Sequence, residues 1–262
     1  MKNKKEAFSR LLEIMDMLRQ QCPWDKKQTM ESLRYLTIEE VYELSDAILD
    51  KDMDEIKKEL GDILLHVVFY ARIASETNDF DISDVIHSVC DKLIHRHPHI
   101  YGDVRVSNEE EVKENWEKLK LKEGNKSVLE GVPKSLPAIV KAFRIQEKVR
   151  GVGFDWKNKK QVWEKVLEEI EELKEEVQKG DQDKIESEFG DVLFALTNYS
   201  RFINVNPEDA LEKTNKRFIQ RFKIMEQLIK NKNLQMEKMS LVELDKFWER
   251  AKKLYIKDRS SK

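Results

Sequence analysis

One stretch of this chain occurs twice. Laid on residues 167–202 at a constant offset of 129, residues 38–73 match at thirteen positions without a gap, where a chain this rich in Glu and Lys gives roughly three by chance. The identities include Glu39/Glu168, Glu40/Glu169, Glu43/Glu172, Asp52/Asp181, Glu59/Glu188, Gly61/Gly190, Asp62/Asp191, Tyr70/Tyr199 and Arg72/Arg201. Pro23-Trp24-Asp25 and Phe154-Asp155-Trp156 lie similarly upstream of the two copies. The fold must therefore be one that a module of about 100 residues adopts twice in tandem.

The module is helical. Only 8 Gly and 5 Pro interrupt 262 residues, 38% of which are charged. Few breakers with abundant Glu, Lys and Leu favour helices over sheets. Helices are expected over 5–21, 30–50, 52–78, 83–96, 108–123, 137–149, 159–179, 181–203, 207–231 and 240–256. Thr37 with Glu40, Ser107 with Glu110, and Ser240 with Glu243 fit the capping box, and Asn206-Pro207 reads as an N-cap followed by Pro at the first helical position. Pro98 is expected to break the chain after 96. The breaker-rich stretch before Pro137 is the best linker, so the expected organisation is all-α: a helical-bundle module over 1–123, a linker over 124–136, and a second module over 137–262.

Composition excludes several functions. Uncharged runs such as Ile63–Ala71 are too short to span a bilayer. The N-terminal segment, interrupted by Glu13, Asp16 and Arg19, is an amphipathic helix rather than a signal peptide. Two cysteines, Cys22 and Cys90, make no disulfide framework and fit a reducing cytoplasm. Lys+Arg 48 against Asp+Glu 51 leaves a net charge of −3, with no basic field for a nucleic-acid duplex.

The chemistry is in the carboxylates. Each copy reads Glu-Glu-x-x-Glu, then Glu-x-x-Asp sixteen residues later. Residues three and four apart share a helix face. Glu40 with Glu43, and Glu59 with Asp62, thus project as pairs from two helices joined by a tight turn near Asp50–Asp52, and such helices pack antiparallel. A Glu-rich helix is ordinarily a solvated face. Here Val67, Val68, Phe69 and Leu193, Phe194, Leu196 make the second helix apolar nearly all round, so the carboxylates are expected to open a buried segment. Clustered like charges are unfavourable unless a cation intervenes, and an all-oxygen ligand set suits Mg2+, Mn2+ or Ca2+. Mg2+ commonly shares its shell with phosphates, which points to a polyphosphate ligand.

Basic residues should then face the site. Lys213, Lys216, Arg217 and Arg221 supply them in the second half, and Lys92, His95 and Arg96 occupy a comparable place in the first. The run His95-Arg-His-Pro-His99 has no Cys or carboxylate at zinc-ligand spacing, which leaves it a phosphate-contacting or structural role. Trp248 is the tryptophan best placed to touch a nucleobase. An acidic helical scaffold without catalysis is the competing reading of the same pattern.

With Cys22-Pro-Trp-Asp-Lys, Arg96-His-Pro-His and Val152-Gly-Phe-Asp-Trp156 in order around the duplicated carboxylates, the whole chain resembles the tandem-domain MazG family of all-α nucleoside triphosphate pyrophosphohydrolases. The resemblance implies Mg2+-dependent hydrolysis of nucleoside triphosphates to monophosphate and pyrophosphate, with broad base tolerance and a nucleotide-pool role, in a cytoplasmic homodimer. Carried over by position, it implies metal ligands Glu169, Glu172, Glu188 and Asp191, with a counterpart set Glu40, Glu43, Glu59 and Asp62. It also implies that Lys165, Glu168, Lys184, Asp191, Arg217, Arg221 and Trp248 line the nucleotide, and that Glu168 or Glu169 orients the attacking water.

Overall fold

The computed structural model describes residues 2–108, 111, 112, 115, 116 and 127–259, the last three of these by backbone alone. Among the described residues there are ten α-helices and no strand, and no helix is long and apolar enough to cross a membrane. The chain divides into two compact units, Met1–Leu119 and Lys120–Lys262. The first holds α1 (Lys2–Gln21), α2 (Met30–Asp50), α3 (Met53–Ser75), α4 (Ile82–Arg96) and the single turn α5 (Pro98–Tyr101). The second holds α6 (Ala138–Arg150), α7 (Lys159–Lys179), α8 (Gln182–Phe202), α9 (Pro207–Lys230) and α10 (Leu241–Arg259). Most of the helix expected over 108–123, and residues 124–126 of the linker, lie outside the described residues. The remainder of that stretch is tied to α6, where Lys148 Nζ donates to Val128 O at 3.1 Å and Lys141 Nζ to Lys134 O at 2.6 Å.

The duplication extends to the element boundaries. At the same offset of 129, α1 and α6 end at Gln21 and Arg150, α2 and α7 run Met30–Asp50 and Lys159–Lys179, and α3 and α8 begin at Met53 and Gln182. The repeated Asp52 and Asp181 are N-caps: Asp52 Oδ1 accepts from the N–H of Asp54 and Glu55, and Asp181 Oδ1 from that of Lys184. Such a cap satisfies donors that the first helical turn leaves open. The preceding residue closes the helix before in the left-handed region, Lys51 at φ 59° and Gly180 at φ 77°. Glycine adopts that conformation without a Cβ penalty. Lys51→Gly is therefore expected to raise stability by about 0.5–1 kcal/mol, read as a higher urea midpoint; an unchanged or lower midpoint would contradict it.

These tight turns make α2/α3 and α7/α8 the most extensively packed described pairs of their units. In the first unit Met15, Leu33, Val68 and Phe69 form the core where α1 to α3 meet, with Phe8, Leu12 and Leu65 packed around them. Arg19 locks α1 to the end of α3 through two bonds to Glu76, at 2.8 and 2.9 Å. In the second unit Val162 and Val166 of α7, and Val192 and Ala195 of α8, are buried, and Met225, Ile229 and Ala251 join α9 to α10.

Three expectations are corrected here. Thr37 is not a cap: α2 is capped by Thr29, whose hydroxyl and that of Ser32 form the box, while the Thr37 hydroxyl bonds back to Leu33 O and reaches Tyr70 Oη at 2.7 Å. The box placed at Ser107 falls one residue later, with Asn108 Oδ1 accepting from Glu111 N and Glu111 Oε2 from Ser107 N. The break expected at Pro98 is present, with α4 ending at Arg96, and Pro98 then starts α5, since Pro at the first helical position has no N–H to leave unpaired. Finally, α3 and α8 are covered on one side only. Val68, Phe69 and Ala71 are buried while Leu60, Leu64 and Val67 are exposed, and in α8 Phe189, Leu193 and Leu196 are exposed at the equivalent positions. A two-helix hairpin encloses only the faces its own neighbours reach.

Candidate metal centres

Helical spacing puts Glu40 and Glu43 on one face of α2, and the turn at Lys51 brings Glu59 of α3 back beside them. One carboxylate oxygen from each of these three residues lies within 4.8 Å of the other two. The second unit repeats the arrangement with Glu169 and Glu172 of α7 and Glu188 of α8, again within 4.8 Å. Glu59 is 1% exposed and Glu169 8%. Such proximity of acids shows in their ionisation. Burial and then the charge of Asp62 push the Glu40 carboxyl above its ordinary value. Burial and then Glu169 do the same to Glu172.

Asp62 and Asp191 stand outside these triads. Each follows its glutamate by one turn, with a side chain one methylene shorter, and Asp191 is exposed. Among the described residues each triad meets one lysine, and the two lysines differ. Lys165 Nζ lies 2.7 Å from Glu168 Oε1 and 2.7 Å from Glu169 Oε1, bonds that raise its pKa. In the first unit Lys58 Nζ, on α3, lies 2.9 Å from Glu59 Oε1 and holds the Glu59 carboxyl below its ordinary value. Lys58 was not foreseen, because Ser187 occupies its position in the other copy. Nor was His66, whose Nδ1 is buried without a hydrogen-bond partner among the described residues and whose pKa burial lowers; Ala195 is its counterpart.

Of the other nucleotide-lining candidates, Lys184 is exposed and 3.6 Å from Asp181. The partners of the rest lie on α9 and α10. Arg217 Nη2 donates to Thr214 Oγ1 at 3.1 Å, Arg221 lies 5.1 Å over the Tyr255 ring, and the half-buried Trp248 ring is 5.1 Å from Phe218. Arg221 Nε is buried without a hydrogen-bond partner among the described residues. The N-caps of α4 and α9, Asp81 and Asn206, set the register between these helices. At that offset of 125, Lys92 and Arg96 stand where Arg217 and Arg221 do, and Arg96 likewise lies over an aromatic ring, that of Trp116 at 5.6 Å. The neighbouring histidines serve the local fold: His97 Nδ1 is 2.6 Å from Leu93 O, and its ring meets Trp116 edge-on.

The model of the MazG nucleotide pyrophosphohydrolase domain matches residues 28–101 and 157–225, one match around each triad. The chain belongs to the MazG family. A relative in Thermotoga maritima, called nucleoside triphosphate pyrophosphohydrolase/pyrophosphatase MazG, is 47% identical over 94% of this chain and 95% of its own length. The Escherichia coli K12 nucleoside triphosphate pyrophosphohydrolase is 41% identical over 94% of this chain and 97% of its own. The Bacillus subtilis protein YabN, uncharacterized, is 44% identical over 88% of this chain, which spans 48% of YabN.

The raised Glu40 carboxyl in this MazG-family chain has a testable consequence. A carboxyl whose folded-state value is raised contributes stability below its unfolded value and loses it as pH rises through the folded one. Glu40→Gln, which mimics the protonated acid, is thus expected to melt above the parent at pH 7 in metal-free buffer. The gap should close as pH falls towards 4.5, the ordinary glutamate value. A gap that widens on acidification would overturn this reading.

Proposed function

We propose that this chain hydrolyses nucleoside triphosphates to the monophosphate and pyrophosphate, with Mg2+ at the second-unit triad and Mn2+ able to replace it. The observation that carries this is the convergence of Glu169, Glu172 and Glu188 within 4.8 Å, with the Lys165 ammonium beside them. The names of the Thermotoga and Escherichia relatives, similar over nearly their full length, support the same reaction. The donor set fits the cation: three carboxylates without sulfur or imidazole select a hard ion, and in the matching triad of the first unit the buried Glu59 Oε2 has no partner among the described residues.

Bound there, the cation would offset the charge of the triphosphate and of the departing pyrophosphate. Glu169, Glu172 and Glu188 would hold it, with Asp191 as the fourth ligand that the family resemblance implies. Glu168 then takes the role of base, because it lies next to the triad without belonging to it. It orients the water and accepts its proton as the water oxygen bonds to the α-phosphorus and the bond to the bridging β-phosphate oxygen breaks. Lys165, already 2.7 Å from Glu168, is placed to leave that carboxylate for a phosphate oxygen. Arg217 and Arg221 would meet the outer phosphates, since a guanidinium fork holds oxygens two at a time. Trp248 would face the base, and stacking tolerates any base, in keeping with broad specificity and a role in maintaining the nucleotide pool of the cytoplasm.

We further infer a homodimer. The exposed Leu60, Leu64 and Val67, repeated as Phe189, Leu193 and Leu196, leave apolar hairpin faces of the kind that association covers; a monomer by light scattering at micromolar concentration would contradict it. The reaction is tested by ion-exchange analysis of products from a nucleotide panel with and without Mg2+. Monophosphate and pyrophosphate in equal amounts are expected. Orthophosphate as the first product would make the protein a phosphatase, and no turnover would favour the acidic scaffold.

A further inference from the structure

The two triads differ in how their charge is already balanced. In the second unit Lys165 Nζ sits 2.7 Å from Glu169 Oε1, on a residue that is itself buried. A cation entering this triad meets an ammonium group at hydrogen-bond distance from one of its ligands. At the offset of 129 the first unit has Leu36, packed against the core of Met15, Leu33, Val68 and Phe69, so α2 offers no lysine there. Lys58 does reach Glu59 Oε1, at 2.9 Å against 2.7 Å for Lys165 on Glu169, but its side chain is 59% exposed against 34%, and its second carboxylate, Glu55, stands at 3.4 Å where Lys165 has Glu168 at 2.7 Å. Among the described residues Glu59 Oε2, on a side chain 2% exposed, has no hydrogen-bond partner. An unpaired oxygen on a buried carboxylate is costly, and this one belongs to the acid that completes the triad with Glu40 and Glu43.

We propose that the first triad is a resting divalent-cation site that fills with metal alone, whereas in the second Lys165 competes with the cation until a triphosphate draws the ammonium onto a phosphate oxygen. This rests on the metal reading of the triads given above. It assigns the duplicated units different duties. The first holds a permanent ion, and in the second metal and nucleotide each favour binding of the other, because both require Lys165 to leave Glu169. Such reciprocity is thermodynamically required of any pair of ligands coupled through one side chain.

The test is a Mn2+ titration of the full chain without nucleotide, with free Mn2+ counted by electron paramagnetic resonance. Two classes of site are expected. Glu59→Gln should remove the tighter class and Glu188→Gln the weaker. Lys165→Leu, which copies Leu36, should tighten the weaker class about tenfold, the usual scale of such a coupling. Lys165→Met serves the same purpose if the leucine variant does not fold by circular dichroism. An α,β-methylene triphosphate, which resists cleavage, should tighten the weaker class in the parent and do so far less in the Lys165 variant. Two classes of equal affinity, a tighter class that survives Glu59→Gln, or a weaker class unmoved by the Lys165 change would overturn the inference while leaving the metal reading intact. Failure of Mn2+ to bind either triad would overturn both.

Discussion

Glu172→Ala is expected to lower pyrophosphate release at saturating Mg2+ by about 100-fold or more, the scale of losing a group that stabilises transition-state charge. Asp191→Ala should do likewise if it supplies the fourth ligand, whereas Glu43→Ala and Asp62→Ala should leave much of the activity. The asymmetry does not come from the basic helices, since Lys92 and Arg96 stand in register with Arg217 and Arg221. It comes from position 165, where α7 offers an ammonium beside two carboxylates and α2 offers Leu36. Helicity should survive each change. The Glu172 carboxyl is pushed upward, first by burial and then by Glu169, so removing its charge relieves the apo fold rather than straining it. Circular dichroism alongside the activity assay checks this. Collapse in Asp62→Ala with near-parental Glu172→Ala would transfer the chemistry to the first unit, and full activity in all four would sink the metal site altogether.

Leu33→Ala should be the most damaging single truncation in the first unit, at about 2–5 kcal/mol. Leu33 is 0% exposed and touches the faces of α1 and α3 at once, among Met15, Val68 and Phe69. With helices on both sides, the cavity left by three missing carbons has little room to collapse. Natural domains are stable by only about 5–15 kcal/mol, so the loss is large enough to read from a urea or thermal transition. Lys57→Ala is the matched control: its partner Asp54 is as exposed as Lys57 itself, and the change should fall within about 0.5 kcal/mol. Equal effects from the two would mean that the α1–α3 contact is not the core of this unit.

The linear chain carries everything that depends on near neighbours. Helix limits follow from caps and breakers a few residues away, which is why α7 spans the expected 159–179 and why Asn206 caps α9 through Glu208 N and Asp209 N. Ser240 and Glu243 cap α10 reciprocally for the same reason. The repeat and the three- and four-residue spacing of its acids are equally local, and with a tight turn between two helices they suffice to bring Glu169, Glu172 and Glu188 together.

What the chain could not show is set by reach between helices. Thr37 sits at a capping-box spacing, yet its hydroxyl is satisfied by Leu33 O one turn back and by Tyr70, thirty-three residues away. Asp62 and Asp191 match the acidic pattern as well as any glutamate, but a side chain shorter by one methylene, one turn further on, leaves them outside the triads. Trp248 reads as the tryptophan best placed to touch a nucleobase, and only the fold shows that it is half-buried with its ring against Phe218. The difference between the two triads is only partly tertiary. Lys165 meets Glu169 one turn along α7 and Lys58 meets its neighbour Glu59 on α3, contacts that the near sequence decides, whereas the packing of α2 on α3 buries Glu59 and, among the described residues, leaves its Oε2 unpaired. Helix periodicity fixes which residues share a face, whereas the distance between two faces depends on every side chain packed between them.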